Sequence, residues 1–206
     1  YLVLAITVAT IPGFGANAWF PAFFMRTHGL SIEQAGIILG LGGALSGMIG
    51  AIVGGIVFDR LAMTSVSMAV KVMAWSQLIA YPASLLLYTT DNLVLAITFL
   101  VIPAMCSAFF AGPTAALIQN LSRVRMRAVA ASITMLSVNL VGLGLGPTII
   151  GVLSDLFQPG FGEDSLRNAL IGVGLFLGLS AFFFFRAAAT VEEDMKTVDI
   201  AEAGTT

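Results

Sequence analysis

The stretch QNLSRVRMRAVAASITMLSVNLVGLGLGPTIIGVLSD, residues 119–155, decides the fold. It opens with three arginines on alternate positions, Arg123, Arg125 and Arg127, and continues as an uncharged run long enough to cross a bilayer. Three glycines and Pro147 lie inside this run. In a soluble helix each glycine costs ~1 kcal/mol and a proline ~3 kcal/mol, whereas membrane helices tolerate both and use them to pack closely and to bend. The stretch therefore predicts a membrane helix that packs tightly against its neighbours.

The composition of the whole chain agrees with a membrane protein. Hydrophobic residues make up 58% of the sequence and charged residues 10%, against about 25% charged residues in soluble domains. The mean hydropathy is +1.00. The basic residues form no stripe beyond one short cluster, so we expect no binding to nucleic acid. The chain begins at Tyr1, inside a hydrophobic segment, which suggests that it is part of a longer protein.

Six segments are long and apolar enough to span a membrane, which takes ~20 residues at a rise of 1.5 Å. The second begins with the capping-box spacing of Ser31 and Gln34. After the last span the chain is polar and acidic, which predicts a disordered tail. We therefore expect an all-α transmembrane domain over residues 1–189 and a tail over residues 190–206. The predicted spans are residues 2–25, 31–58, 66–88, 93–121, 127–156 and 165–189.

The basic residues predict the orientation of these spans. Most of them fall at helix ends on one side, where Arg60 and the cluster at residues 123–127 lie. The other side holds fewer basic residues, and acidic residues dilute them. By the positive-inside rule, the basic loops, both ends of the segment and the tail are cytoplasmic. We expect a multi-pass protein of the bacterial inner membrane.

The second span carries two adjacent rows of small residues at four-residue spacing, a pattern that allows helices to approach closely. One interpretation is static packing. The other is a surface that slides against a partner helix in another part of the protein. The first row is Gly42, Ser46, Gly50 and Gly54, and the second is Gly43, Gly47, Ala51 and Gly55.

The second span ends in the spacing Gly55-x-x-x-Asp59-Arg60. A carboxylate at this place can pair with the positive N-terminal end of a neighbouring helix or with an arginine. Arg123 and Arg127 are predicted on the same side of the membrane. These positions predict a cytoplasmic latch between Asp59 and an arginine, with independent topology-setting charges as the alternative.

These motifs together resemble the C-terminal half of a major facilitator superfamily transporter. They are the Gly55–Arg60 turn, Gly112-Pro113 in the fourth span, the arginine-bearing loop and the run from Gly146 to Asp155. More narrowly, residues 112–170 resemble bacterial Spinster-type members. The resemblance implies twelve helices in two six-helix halves, of which this chain would hold the seventh to the twelfth, with alternating access to a central cavity. An N-terminal six-helix half, in the same protein or in a second chain, would complete the fold.

By the resemblance, the first, second, fourth and fifth spans line the cavity, while the third and sixth lie outside it. Gly146-Pro147 is the candidate hinge. Polar groups inside a membrane mark functional sites or simply join neighbouring helices, and both interpretations stay open for the two asparagines among the candidates. The candidate cavity residues are Phe14, Asn17, Phe110, Thr114, Met135 and Asn139.

The sequence contains no catalytic motif and no phosphate-binding loop, so we expect no enzyme, metal site or cofactor. It predicts a secondary active transporter for an amphipathic or lipid-like small molecule, a class that agrees with the lysolipid and sphingolipid-like cargo associated with Spinster-type proteins. No ionisable residue lies near the middle of a span, so the titrating group of a proton-coupled mechanism would lie in the other half. Two alternatives stay open: a transporter of small organic anions or drugs, and a non-transporting membrane scaffold or receptor.

Overall fold

The computed structural model describes residues 1–203 of the chain. This part is almost entirely helical and contains no β-strand. We number the membrane helices in chain order. They are α1 (Leu2–His28), α2 (Ile32–Ala62), α3 (Val66–Thr89), α4 (Leu93–Asn120), α5 (residues 127–161) and α6 (Ser165–Ala203).

Five helical stretches are long and apolar enough to cross a membrane, and the last of them, Val124–Val198, has 75 residues. A single crossing needs only ~20 residues. A short 3-10 turn at Gly162–Asp164, with Gly162 at φ 55, divides this stretch into α5 and α6, which pack side by side. The stretch therefore supplies two spans, and the predicted total of six is confirmed.

Local sequence signals account for several helix starts. The predicted capping box is present, because the Ser31 hydroxyl accepts the amide of Gln34 at 3.2 Å and the Gln34 side chain accepts the amide of Ser31 at 3.0 Å. The Ser65 hydroxyl caps α3, and the side-chain oxygen of Asn92 accepts two amides in the first turn of α4. Each cap satisfies backbone donors that would otherwise lack a partner at a helix end.

The six helices pack as two equivalent units of three, α1–α3 and α4–α6. The first helix of each unit packs against the second and third helices of the other unit, so α1 contacts α5 and α6 while α4 contacts α2 and α3. The two third helices, α3 and α6, pack along each other. This internal repeat is the arrangement expected of transporter folds.

Two apolar clusters hold the ends of the bundle together. One contains Phe23, Phe24 and Leu166 near the α1–α2 and α5–α6 turns, and the other contains Met73 and Phe184 near the opposite ends of the helices. The midpoints of α1, α3 and α4 lie between these clusters. The bundle is therefore packed most densely at its two ends.

The second helix of each unit changes its hydrogen-bond pattern partway along. α2 contains a π-helical segment at Ile38–Gly43, and α5 contains one at Val138–Leu145. In α5 this segment ends directly before Gly146-Pro147, where proline removes an amide donor and clashes with the preceding turn. π-helical segments often mark functional sites, and the one in α5 lies beside the predicted hinge.

The acidic segment after the sixth span corrects the prediction of a disordered tail over residues 190–206. α6 continues as a helix to Ala203, and residues 204–206 lie outside the described residues. Val191 is buried, and the Glu192 carboxylate accepts hydrogen bonds from the Ser65 hydroxyl at 2.7 Å and from a backbone amide in the first turn of α3. These hydrogen bonds hold the pKa of Glu192 below its ordinary value. Contacts with a remote helix start, invisible in the composition, order the segment.

Candidate functional site

A cavity of about 410 Å³ lies at mid-length of the bundle, between the two apolar clusters. Its volume is within the range of small-molecule sites in proteins. Every one of the six helices contributes to its wall. Most lining residues are apolar or glycine, including Pro12, Phe20, Leu39, Ala80, Leu100, Pro103, Phe110, Ile150, Val173 and Leu177.

Uncharged polar side chains from three helices interrupt this apolar wall. Asn17 comes from α1 and Ser107 from α4, while Gln77, Ser84 and Tyr88 come from one face of α3. The hydroxyls of Ser84 and Ser107 each donate to a carbonyl of their own helix at 2.8 Å. The Gln77 amide has only a long contact, from Nε2 to the Ser76 hydroxyl at 3.4 Å. The cavity thus presents hydrogen-bonding groups whose capacity the protein itself does not fill.

Glycines of α2 leave space at the open edge of the cavity. Gly40, Gly43 and Gly47 line it, and a Cβ added at any of the three would meet nothing within 4 Å. The first glycine row of α2 has a different role. Cβ atoms added at Gly50 and Gly54 would come closer than 3.0 Å to the backbone of α4. For Gly50 and Gly54 of the first row, static packing within this half is the interpretation that the contacts favour, whereas a Cβ at Gly42 would meet nothing within 4 Å.

No charged side chain lines the cavity within the described residues. The ion pairs among the described residues lie at a loop end instead, where Arg167 contacts Asp91 at 2.6 Å and Asp164 at 3.7 Å. The hydrogen bond from Arg167 holds the pKa of Asp91 below its ordinary value. Arg167 therefore joins the α3–α4 loop to the start of α6 on the side opposite the arginine cluster.

The predicted cavity residues separate into three groups. Asn17 and Phe110 line the cavity. Thr114 is fully buried between α3 and α4, where its hydroxyl lies 3.5 Å from the Met73 sulfur, and Phe14 packs between α1 and α5 beside Gly142.

Met135 and Asn139 lie on the face of α5 that the other described helices leave exposed. The Asn139 amide donates to the Met135 carbonyl at 2.8 Å. Neither residue borders the cavity of this bundle. A contribution from them to a larger cavity between two halves stays a prediction.

The predicted latch residues occupy one end of the bundle without pairing. Asp59, Arg60, Arg123 and Arg127 are exposed, and none of them forms an ion pair with another described residue. Arg127 reaches only a backbone carbonyl, that of Ser122, at 3.5 Å. Gly55 has open space at its Cβ position. A latch would need a partner other than the groups these residues contact here, and it stays a prediction.

The candidate hinge is tied to α1 by a residue that the sequence did not single out. The indole nitrogen of Trp19 donates to the Pro147 carbonyl at 2.9 Å, and the ring lies over Gly151. A Cβ on Gly146 would come within 2.8 Å of the Ile11 carbonyl oxygen. The irregular part of α5 is therefore in close contact with α1, and its movement as a hinge stays a prediction.

Sequence reasoning also missed the polar face of α3. The third and sixth spans were expected outside the cavity, yet α3 supplies Gln77, Ser84 and Tyr88, and α6 supplies Val173 and others. The spacing of the three α3 residues, i, i+7 and i+11, is a helical-face signal that was present in the sequence. This spacing could be assigned to the cavity only once the structure showed that the neighbouring helices leave a space beside that face.

The chain has the fold of one six-helix half of a major facilitator superfamily transporter, and it is a multi-pass membrane protein. Two crystal structures of a bacterial homologue of the human lysosomal transporter Spinster match it with TM-scores of 0.83. One is inward-facing and occupied, with 24% sequence identity, and the other is inward-facing and unoccupied, with 25% identity. Each match covers 94% of this chain.

A relative in sequence is an MFS-type efflux pump of Mycolicibacterium smegmatis, 30% identical over 159 residues, which are 77% of this chain. No protein-family model matches the sequence. The chain spans 49% and 48% of the two Spinster-homologue structures and 37% of the efflux pump. The proteins that it resembles are transporters, and it corresponds to about half of their length or less.

Proposed function

We propose that this chain forms one half of a secondary active transporter that moves an amphipathic or lipid-like small molecule by alternating access. The observation that carries the proposal is the cavity at mid-length of the bundle, which is apolar over most of its wall and has uncharged polar groups at its centre. A second six-helix half completes the transport pathway.

The exposure of the helices supports a second half. In the most apolar window of α2 only 11% of the residues are buried, and in α4 only 17%, against 50% in α3. Apolar faces of this extent need lipid or protein to cover them. Gly40 and Gly43, which line the cavity, belong to the π segment of this exposed helix α2.

The orientation and the coupling of transport are part of the same proposal. The excess of basic residues at one end favours a cytoplasmic position for both ends of this segment in a bacterial inner membrane. Within residues 1–203 no Asp, Glu, His, Lys or Arg side chain lines the cavity. Proton coupling would therefore use a titrating group of the second half.

The direct test is transport by the natural full-length protein reconstituted in liposomes. We expect saturable uptake of a fluorescent lysolipid with an uncharged headgroup above that of protein-free vesicles, dependent on an imposed pH gradient, and no uptake of a small organic dicarboxylate. Uptake equal to that of protein-free vesicles would contradict the proposal. Uptake of the dicarboxylate alone would favour the second candidate.

That second candidate is a transporter of small organic anions or drugs, and its support is the efflux pump among the relatives. The uncharged cavity wall argues against an anion in this half, because a buried anion needs a cationic or hydrogen-bonding partner. A neutral drug with an apolar body would fit the wall as well as a lipid does. Uptake assays with a neutral dye and with the lysolipid separate these two substrates.

A non-transporting scaffold or receptor is the third candidate. Double electron–electron resonance distances between spin labels at position 122 and at a cytoplasmic residue of the second half would distinguish a scaffold from a transporter. A transporter gives two distance populations whose ratio changes with substrate. One distance that is constant with substrate and with pH would favour the scaffold.

A further inference from the structure

We propose that Gln77, with Ser84 and Tyr88 on the same face of α3, forms a subsite for an uncharged hydroxyl or amide group of the transported molecule. This inference rests on the proposed transport function and makes it more specific. It assigns to α3, a helix expected outside the pathway, the recognition of the polar end of an amphiphile.

The state of the Gln77 side chain is the first observation. The residue is 1% exposed, and its only hydrogen bond to the described part of the chain is the 3.4 Å contact with Ser76. That distance is long for a hydrogen bond, and no side chain or backbone group among residues 1–203 donates to the amide oxygen. Buried polar groups in proteins are nearly always hydrogen-bonded. A buried amide with spare donor and acceptor capacity at a cavity wall is therefore suited to a ligand.

The position of the amide is the second observation. Gln77 lies at the midpoint of α3, where the cavity is bounded by residues of all six helices. Ser84 and Tyr88 follow two and three turns later on the same face, and both are nearly buried. Their hydroxyl oxygens accept hydrogen bonds, and the phenol also donates one. The three side chains form a polar strip that starts at the cavity centre and runs toward one end of the bundle.

The absence of charge identifies the chemical class. No cationic or anionic side chain lines the cavity among residues 1–203. Burial of a phosphate or carboxylate against this wall would leave the charge uncompensated, which is strongly unfavourable. An alcohol or amide exchanges donor and acceptor bonds with a glutamine amide without such a penalty. The subsite therefore selects a neutral polar group that is attached to an apolar body.

Two lipids with one acyl chain test this class: mono-oleoylglycerol, which is neutral, and oleoyl lysophosphatidate, which carries a phosphate. Binding of each to the natural full-length protein in detergent is measured by native mass spectrometry. We expect wild type to bind the neutral lipid more tightly. Gln77→Met should weaken the binding of mono-oleoylglycerol about fivefold, which is the effect of one lost hydrogen bond. The affinity for lysophosphatidate should stay unchanged. The matched control is Gln119→Met, an exposed glutamine of α4 outside the cavity, with no expected change.

Thermal unfolding without lipid separates recognition from packing. Because no described residue donates to the Gln77 amide oxygen, Gln77→Met should keep the unfolding midpoint of wild type or raise it. A lowered midpoint with equal losses for both lipids would give Gln77 a packing role and overturn the inference. If Gln77→Met prefers mono-oleoylglycerol over lysophosphatidate as strongly as wild type does, the inference is overturned but the transport proposal stays intact. If wild type binds neither lipid and transports no amphiphile, the transport proposal fails and the inference with it.

Discussion

The two glycine rows of α2 are one residue apart in sequence, yet the fold uses them in opposite ways. Gly50 and Gly54 lie against the backbone of α4, with no room for a side chain. Gly43 and Gly47 face open space and border the cavity. Gly50 and Gly54 of the first row therefore form a helix contact, and Gly43 and Gly47 of the second row form part of the wall of a binding space. Residue type alone therefore does not reveal what a glycine in a membrane helix does.

The same division occurs in α5, the equivalent helix of the second unit. Gly142 and Gly146 lie against α1, where an added Cβ would come closer than 3.0 Å to its side chains or backbone. Gly144, between them, has only one atom near its Cβ position, at 3.9 Å. Successive residues on an α-helix point in directions roughly 100° apart. The neighbouring helix selects which of them become contacts.

The largest expected effect comes from placing a methyl group in the packed row. Gly54→Ala should lower the free energy of unfolding by about 3 kcal/mol, because overpacking against a backbone forces it to shift. The matched change in the open row, Gly55→Ala, should be neutral or stabilise by up to about 1 kcal/mol through helix propensity. Unfolding of both variants in detergent, followed by circular dichroism, checks this. Equal destabilisation would mean that the two rows do not differ as the structure indicates.

The next effect concerns function rather than stability. Gly47→Leu fills part of the cavity, so we expect substrate binding to weaken on the order of tenfold, or about 1.4 kcal/mol, with an unchanged unfolding midpoint. Ala51→Leu, one turn along the same row and outside the cavity, serves as the control. Binding of the neutral lipid by native mass spectrometry gives the readout. Similar affinity in both variants would place the ligand elsewhere.

A smaller effect is expected where α5 meets α1. Trp19→Phe removes the hydrogen bond to the Pro147 carbonyl and should cost about 1 kcal/mol of stability. Trp75, which is largely exposed on α3, provides the control as Trp75→Phe. Thermal unfolding of both variants measures the difference. An unfolding midpoint of Trp19→Phe no lower than that of Trp75→Phe would show that the α1–α5 contact does not depend on this bond.

The smallest effect extends the comparison to two carboxylates. Asp91 is paired with Arg167, whereas Asp59 has no ion pair with a described residue. Because the folded pKa of Asp91 is lowered, its stabilising contribution is present above the ordinary pKa of a carboxyl and is lost as the pH falls through the lowered value. Asp91→Asn should therefore lower the unfolding midpoint slightly at neutral pH, and the difference from wild type should disappear in acid.

Asp59→Asn is the matched control, and we expect it to leave the unfolding midpoint at neutral pH unchanged, because Asp59 has no ion pair with a described residue. Midpoints of wild type and the two variants, measured from neutral pH into the acid range, complete the test. A difference for Asp91→Asn that persists in acid would indicate a steric rather than an ionic cause. A lowered midpoint for Asp59→Asn at neutral pH would reveal a pairing partner outside the residues described.

Much of the fold could be predicted from the sequence. The apolar runs gave six spans whose limits agree with the helices within a few residues in most cases, and Ser31 and Gln34 predicted the start of α2. The site was predicted less well. Asn17 and Phe110 line the cavity, as predicted. Gln77, Ser84 and Tyr88 were missed, because a polar residue in an apolar helix does not reveal whether a cavity lies beside it. The prediction of a disordered tail was wrong because the Glu192 carboxylate accepts a hydrogen bond from Ser65, a residue far away in the sequence.

The sequence by itself determined that this protein is a bundle of membrane helices, because the bilayer demands long apolar runs whose backbone bonds are satisfied within each helix. It also determined that most charged residues lie near helix ends, since charges are costly inside the membrane. Only the tertiary structure decided which glycines are contacts and which form the cavity wall. Of two glycines at successive positions on a helix, one faces a neighbouring backbone and the other faces open space. Which of them does so depends on helices that are far away in the sequence.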